Sequence, residues 1–170
     1  YKYDTKKGIW TKDAKAVITD YLANLKQTKT TTVNEIVSYL QRKNRFSSFD
    51  VKTIDKKVCV NNGVFDLEDF KLKKFNPDYN LFNSIPVTYI ENADCPNFKE
   101  FLTRACSDVN GTFSQEKYNV IQEFMGYCLE SGYRIHKFLL VHGPTDTSKT
   151  QFMIILQNIL GKENFESIYP

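Results

Sequence analysis

The sequence feature that most constrains the fold of this chain lies at residues 137–161, where the pattern predicts a strand, a tight loop and a helix. The strand candidate is a short apolar run at residues 138–141, of the kind that fills a buried parallel strand. A helix follows, because apolar residues recur with helical spacing over residues 152–160 and Gly161 stands where a C-terminal cap belongs. This order of elements is typical of an α/β domain.

The loop between them is one residue away from G-x-x-x-x-G-K-[ST], the phosphate-binding pattern. Backbone N–H groups of such a loop and the helix N-terminus form a nest for anionic oxygens. Lys149 is expected to reach the β- and γ-phosphates of ATP, and the Thr150 hydroxyl to bind Mg²⁺. The candidate cofactor-binding residues are therefore Gly143, Pro144, Thr145, Asp146, Thr147, Ser148, Lys149 and Thr150.

Two residues of the loop depart from the pattern or oppose a phosphate. Ser148 replaces the last glycine, and if that position needs a positive φ, Ser is less favourable than Gly by about 1 kcal/mol. Asp146 places a carboxylate near the triphosphate, which it repels unless Mg²⁺ or a turn hydrogen bond absorbs the charge. The alternative interpretation is a plain strand–turn–helix in which Ser148 merely caps the helix.

Length and composition indicate a folded chain with one domain, or one domain and part of another. The chain has 170 residues, of which 41% are hydrophobic and 14% aromatic, so a core is available and disorder is disfavoured. The net charge of +3 permits contact with nucleic acid without requiring it. No apolar run is long enough to predict a transmembrane helix. The first residue is Tyr1, not Met, which indicates a piece of a longer protein.

The four cysteines favour structural roles. None forms a C-x-x-C pair, and their wide spacing argues against a zinc or disulfide framework. We expect reduced core cysteines in a cytosolic protein. The cysteines are Cys59, Cys95, Cys106 and Cys128.

Helical periodicity upstream predicts four helices before the loop. The first covers residues 13–27, and the second opens with a capping box formed by Thr32 and Glu35. The third begins at Pro96, which suits a first helical turn, and the fourth is capped by Ser114 and closed by Gly132.

The predicted β-structure is a small hairpin with short additional strands. Asn61-Asn62-Gly63 predicts a type I′-like turn between strands within residues 58–67. Further strands are expected at 70–75 and 85–90. Residues 1–11 read as the end of a hairpin whose first strand is missing, with Trp10 as a packing anchor rather than a base-stacking platform.

A run of positive charge ends the second helix, where it suits the helix dipole. The alternative is a nucleic-acid contact made by a basic face with Phe46 and Phe49 interleaved. The candidate nucleic-acid residues are Arg42, Lys43, Arg45, Lys52, Lys56 and Lys57.

Other clusters of chemically active residues are few. The carboxylates Asp66, Glu68 and Asp69 are compatible with a metal site, but turn chemistry is the simpler explanation. His136 and His142 flank the strand candidate, and packing or surface roles are expected for both. No nucleophile–base pairing is evident, so no catalytic residue is predicted.

Five stretches resemble, in order and spacing, landmarks of phage, plasmid and poxvirus-type primase-helicases of superfamily 3. The resemblance covers roughly residues 10–161. The stretches are 60–67 (VNNGVFDL), 84–89 (SIPVTY), 95–102 (CPNFKEFL), 121–127 (IQEFMGY) and 138–144 (FLLVHGP).

The resemblance implies an ATP-dependent DNA helicase of the AAA+-like type, which forms rings, often hexameric, and moves along single-stranded DNA. Such proteins act in the replication of viruses, phages, plasmids or integrated mobile elements, and they often carry a primase domain. The resemblance also implies a location in the host cytoplasm and no membrane partner. The implied fold is α+β: a mainly helical accessory domain with a small β-sheet at 1–132, then the first strand, P-loop and helix of a truncated α/β motor at 133–170. Lys149 and Thr150 would take the phosphate and Mg²⁺ roles.

Several expectations follow from this resemblance. The acidic Walker B strand, the sensor and the arginine finger are not found in the chain, so we expect no ATP hydrolysis by the chain alone. The apolar strand and the helix after the loop either fold back on the preceding helices or pair with another copy. A competing hypothesis is a non-enzymatic DNA-binding or oligomerisation module with a degenerate P-loop. A small-molecule kinase is disfavoured, because such folds usually open with the P-loop.

Overall fold

A computed structural model describes residues 1–25, 29–43, 56–130, 136–144 and 148–166. Within these ranges the chain forms helices and two small antiparallel sheets, so the expected α+β class is confirmed. The strands are β1 (Lys2–Asp4), β2 (Ile9–Thr11), β3 (Lys57–Val60), β4 (Gly63–Asp66) and β5 (Lys71–Lys73). The helices are α1 (Ala14–Asn24), α2 (Thr30–Lys43), α3 (Pro96–Ala105), α4 (Gln115–Cys128) and α5 (Lys149–Leu160), with short 3-10 turns at Pro77–Tyr79 and Lys162–Asn164.

The N-terminal residues form a complete hairpin of β1 and β2, so the expectation of a missing first strand was wrong. Its turn closes because Gly8 takes a φ of +69° and donates its N–H to the Asp4 carbonyl at 2.7 Å. The Trp10 indole N–H donates to the Pro77 carbonyl at 3.0 Å, and its ring lies 5.4 Å from that of Tyr3. Trp10 therefore has the packing role expected from the sequence.

The second sheet has the order β3-β4-β5, and its first hairpin confirms the predicted one. Val60 pairs with Gly63 across a two-residue loop, but neither Asn61 nor Asn62 has a positive φ, so the predicted type I′ turn was wrong. Gly63 is needed for a different reason. A Cβ at that position would lie 2.5 Å from the Lys73 carbonyl oxygen, because β4 and β5 approach closely there.

The two sheets share one small core. Its buried residues are Ile9, Cys59, Val64 and Leu81, against which Phe75 and Tyr79 pack. Burial raises the pKa of the Cys59 thiol to about 11, and its Sγ donates to the Lys7 carbonyl at 3.1 Å. Cys59 therefore matches the predicted reduced core cysteine. All four cysteines are free, and Cys106 is also buried, whereas Cys95 is exposed.

Residues 85–90 were predicted to form a strand, and they do not join a regular ladder. Pro86 supplies no N–H in the middle of the run, which interrupts the strand pattern. The segment still covers the free edge of β3, since Ile85 N–H donates to the Cys59 carbonyl and Asn61 N–H to the Val87 carbonyl, both at 2.9 Å.

The early helices differ from the prediction at their ends. Helix α2 begins at Thr30, so Thr32 lies inside the helix and the predicted capping box is not the helix start. Helix α1 ends at Asn24, three residues before the predicted end, and packs against α2. Val33 and Val37 form the buried stripe of α2, as the apolar spacing predicted.

Helices α3 and α4 begin where the sequence predicted. Pro96 occupies the first turn of α3, and the Ser114 hydroxyl accepts a hydrogen bond from the Lys117 N–H at the start of α4. The predicted closure at Gly132 lies outside the described residues. Among the described residues, no helix is long and apolar enough to cross a membrane.

The strand predicted at residues 138–141 before the candidate loop is not formed. Phe138 is 85% exposed and Leu140 is 79% exposed. A parallel strand forms only beside a neighbouring strand that completes its hydrogen bonds, and no described strand pairs with this segment.

Helix α5 is confirmed, with Phe152 and Leu156 buried and Gly161 closing it at a φ of +86°. Its C-terminal end is fixed to the earlier part of the chain. The Asn164 side-chain amide donates to the Ser84 carbonyl at 2.8 Å and to the Leu160 carbonyl at 2.7 Å. The end of α5 is thus tied to a loop of the preceding part of the chain. Leu160 at this end and Cys128 at the end of α4 border the same cavity.

Candidate functional site

The candidate phosphate-binding loop is described on both sides of its tip. Gly143 and Pro144 precede the tip, and Ser148, Lys149 and Thr150 follow it. The predicted binding residues Thr145, Asp146 and Thr147 lie outside the described residues, so the effect of the Asp146 carboxylate on a bound phosphate stays a prediction.

Ser148 has the left-handed backbone conformation that a glycine would normally supply. Its φ is +62° and its ψ is 9°, immediately before α5. Its side chain makes no capping hydrogen bond, so Ser148 holds the N-cap position without the capping bond that the alternative interpretation required. Ser148 therefore has a backbone conformation in which Gly is the usual residue, at the position where the phosphate-binding pattern has its last Gly.

Lys149 is turned back over the loop. Its ammonium donates to the Gly143 carbonyl at 2.9 Å and also to the Pro144 carbonyl. This arrangement holds a positive charge beside the first turn of α5, where the helix dipole is also positive. Phosphate oxygens are stronger partners for the Lys149 ammonium than neutral carbonyls are. The N–H groups of the first turn of α5 are further donors of the kind that bind phosphate. Thr150 is exposed in the same turn.

The predicted nucleic-acid residues do not all lie on one surface. Arg42 and Lys43 are exposed in the last turn of α2, and the Arg42 Nε donates to the Ser38 carbonyl at 3.2 Å. Lys56 pairs with Glu68 at 3.1 Å in an exposed ion pair. Arg45 and Lys52 lie outside the described residues, as do the aromatic residues between them.

Lys57 corrects the prediction of a basic face. Its side chain is only 11% exposed, and its ammonium binds the Asp66 carboxylate, which is 2% exposed. Asp66 also accepts hydrogen bonds from the Lys73 ammonium at 2.7 Å and from the Glu68 N–H at 2.9 Å. These bonds hold the pKa of Asp66 well below its usual range. Lys57 thus completes a buried ion cluster and is not available to DNA.

The carboxylates of Asp66, Glu68 and Asp69, considered above as metal ligands, belong to the same ion cluster. Asp66 is bound by two ammonium groups, and Asp69 bonds Lys73 at 2.9 Å and accepts the Lys71 N–H at 3.1 Å. Turn chemistry and ion pairs therefore account for these carboxylates. In the described ranges, no group of three His, Cys, Asp or Glu residues is placed to hold a metal ion.

Sequence reasoning missed an aromatic cluster on this sheet. The Phe65 ring lies 4.6 Å from the ring of Tyr89 and 6.4 Å from that of Phe70, measured between centroids. Phe70 is 70% exposed. Val58, Phe65 and Leu72 are apolar residues that lie opposite one another on neighbouring strands, so they share one face of the sheet. This shared face could be recognised only once the register of the strands was known.

A cavity of about 130 Å³ lies at the end of α5 that is remote from the loop, bordered by β3, residues 83–85 and the end of α4. It is smaller than the volumes that hold cofactors, so it offers no alternative nucleotide site. Cys59 and Cys128 both border it. Burial raises the pKa of each thiol, which favours unreactive packing roles for both.

Comparison with known proteins finds a protein family that matches the N-terminal two thirds of the chain. Residues 1–107 match the profile of a protein family described as D5 N terminal like. An uncharacterized mitochondrial protein, ymf21, of Marchantia polymorpha is 27% identical over 119 residues. That alignment covers 63% of this chain and 63% of the relative.

Proposed function

Because the chain belongs to the D5 N terminal like family, the N-terminal region of phage and poxvirus D5-type primase-helicases, we propose that it serves a replicative DNA helicase. The observation that carries the proposal is the order of its parts. The matched region at residues 1–107 is followed by a loop with a left-handed residue, a lysine and a helix, which is the order expected where an ATPase motor begins.

The proposed cofactors are ATP and Mg²⁺, bound at residues 143–150. Lys149 would exchange its two carbonyl partners for phosphate oxygens, and the exposed Thr150 hydroxyl would bind Mg²⁺. The first turn of α5 supplies backbone N–H groups and the positive end of its dipole. In the full-length protein these interactions would support ATP hydrolysis.

The proposed partners are single-stranded DNA and further copies of the same protein in a ring, most often a hexamer. The proposed setting is the replication of a virus, phage, plasmid or integrated element, in the host cytoplasm. The Marchantia relative carries the description mitochondrial, which is a property of that protein. Arg42 and Lys43 remain candidates for contact with the DNA backbone, because both are exposed at the end of α2.

The test is titration calorimetry of Mg²⁺-ATP into the chain and two lysine variants. Lys149→Ala removes the ammonium at the loop, whereas Lys162→Ala removes an exposed ammonium at the far end of α5 and serves as the matched control. We expect binding by the wild type and by the control, and a loss of about tenfold or more in Lys149→Ala, since charge-assisted bonds to phosphate contribute more than 1.4 kcal/mol.

A second candidate function is a DNA-binding or oligomerisation module with a degenerate P-loop. It is favoured by Ser148 and by the absence of a strand at residues 138–141 in the described structure. Lack of ATP binding by the wild type, repeated with a longer protein that contains the complete motor, would support this candidate. Binding that Lys149→Ala abolishes would exclude it.

A further inference from the structure

Phe70 is a bulky aromatic residue in a conformation and an environment that both disfavour it. It lies in the turn between β4 and β5 with a φ of +55°, where Gly or Asn is the usual choice. Its side chain is 70% exposed, so it is not held there by burial in the core. A strained residue that is not required by packing is a reason to look for a function.

Phe70 is one end of a connected aromatic surface. Its ring meets Phe65 edge to face at an interplanar angle of 63°, and Phe65 lies against Tyr89 at 32°. Leu72, the cross-strand partner of Phe65, is 37% exposed beside them. Phe70 is therefore the exposed ring of this cluster, and the half-buried rings of Phe65 and Tyr89 support it.

The charge around this surface is positive after internal pairing. Residues 56–75 contain five lysines and three carboxylates. Asp66, Glu68 and Asp69 each bind a lysine of the same segment. Lys71 and Lys74 are exposed, and neither forms a side-chain ion pair with the described residues. Lys74 follows Leu72 by two residues, the spacing at which side chains share a face, whereas Lys71 pairs with Asp66 on the face opposite to Phe65 and Leu72. The positive charge that borders the aromatic surface is therefore that of Lys74.

We propose that this surface, consisting of Phe65, Phe70, Tyr89 and Lys74, binds single-stranded DNA by stacking of bases on the exposed Phe70 ring. Stacking on exposed aromatic side chains next to backbone-tracking cations is how single strands are held without sequence preference. Bases of a duplex have no free faces for such contacts. A second copy of the chain fits less well, because it would bring like charges together. The choice of DNA rests on the proposed replicative function, whereas the stacking geometry does not.

The test is fluorescence anisotropy with a labelled oligothymidylate at several salt concentrations. Phe70→Gly removes the ring and also relieves the positive φ, so its melting temperature should not fall by more than a few degrees. The matched control is Tyr21→Ala, which removes an aromatic side chain that is 68% exposed on α1. We expect Phe70→Gly to weaken binding by about tenfold and Tyr21→Ala to leave it unchanged.

A second variant tests the cation. Lys74→Ala should weaken binding and reduce the slope of log affinity against log salt by about 0.7, the contribution of one phosphate contact on a single strand. Lys71→Ala, on the opposite face of the sheet, is the matched control and should leave both unchanged.

The proposal is overturned by lack of binding in the wild type, or by wild-type affinity in a folded Phe70→Gly variant. Sedimentation that shows a dimer lost only in Phe70→Gly, with DNA binding retained, would assign the surface to self-association. The ATP titration with Lys149→Ala is independent of these outcomes, so failure here leaves the nucleotide proposal standing.

Discussion

Replacing Ser148 by Gly should stabilise the folded chain and leave its affinity for ATP nearly unchanged. Ser148 has a φ of +62° in the folded chain, and we expect the same conformation when nucleotide binds, so the strain should not depend on the nucleotide. A left-handed conformation costs an ordinary residue about 1–2 kcal/mol. The greater freedom of Gly in the unfolded chain offsets about 0.5–1 kcal/mol of that. We therefore expect a net gain of about 0.5–1 kcal/mol, or an increase in melting temperature of roughly 1–4 °C for a chain of this size.

Thermal denaturation of four variants isolates this effect, because Ser114 offers the matched position on α4. Ser114 has a φ of −108° and its hydroxyl caps the helix, whereas Ser148 makes no capping bond. Ser114→Ala should therefore lower stability by about 1 kcal/mol and Ser114→Gly by a few tenths. Ser148→Ala should be nearly neutral, since it neither removes a cap nor relieves the backbone.

Calorimetry with Mg²⁺-ATP completes the test. A change in affinity of less than about twofold in Ser148→Gly agrees with strain that is fixed in the folded state. An affinity increase of fivefold or more, with no gain in melting temperature, would show that the positive φ arises only when nucleotide binds. Destabilisation by Ser148→Gly would refute the reasoning altogether.

Two further predictions concern the hairpin sheet. Asp66→Asn should destabilise the fold by about 1–3 kcal/mol, because it leaves the nearly buried Lys57 ammonium without its carboxylate, whereas Lys73 is partly exposed and keeps its pair with Asp69. Since the folded pKa of Asp66 is lowered, its contribution is present above the unfolded pKa of about 3.9 and is lost as the pH falls toward the folded value. The urea concentration at the unfolding midpoint, measured at pH values from 7 downward, should therefore decrease in the wild type once the pH is below about 5. The decrease should be smaller in Asp66→Asn, which lacks this carboxylate. Gly63→Ala should cost about 1–3 kcal/mol by denaturant unfolding, because its Cβ would meet the Lys73 carbonyl. The matched control is Gly126→Ala on α4, which has open space around its Cβ and should not destabilise, since Ala is the better helix former.

Elements whose signals are local were predictable from sequence. Pro96, Ser114 and Gly161 each mark a helix end through their own backbone chemistry, and the structure has helix ends there. The hairpin around Asn62 was predictable for the same reason, although its turn type was not. Such signals need no knowledge of distant neighbours.

Features that depend on distant partners were not predictable. The apolar run at residues 138–141 has the composition of a buried strand, but a strand exists only where another strand pairs with it. Lys57 appeared to be a surface cation until the register placed it beside Asp66. The exposed position of Phe70 follows from a positive φ that no propensity scale assigns to Phe. The loop itself was recognisable from Lys149, yet its backbone shape at Ser148 required the structure.

The hydrogen bond from Asn164 to the Ser84 carbonyl ties the C-terminal end of α5 to an earlier loop of the chain. A helix of 12 residues is about 18 Å long, and the candidate phosphate-binding loop lies at its other end. The loop that contains Ser84 continues into residues hydrogen-bonded to Cys59 and Asn61. Helix α5 therefore connects the candidate loop to the hairpin sheet through a short series of contacts within the described residues.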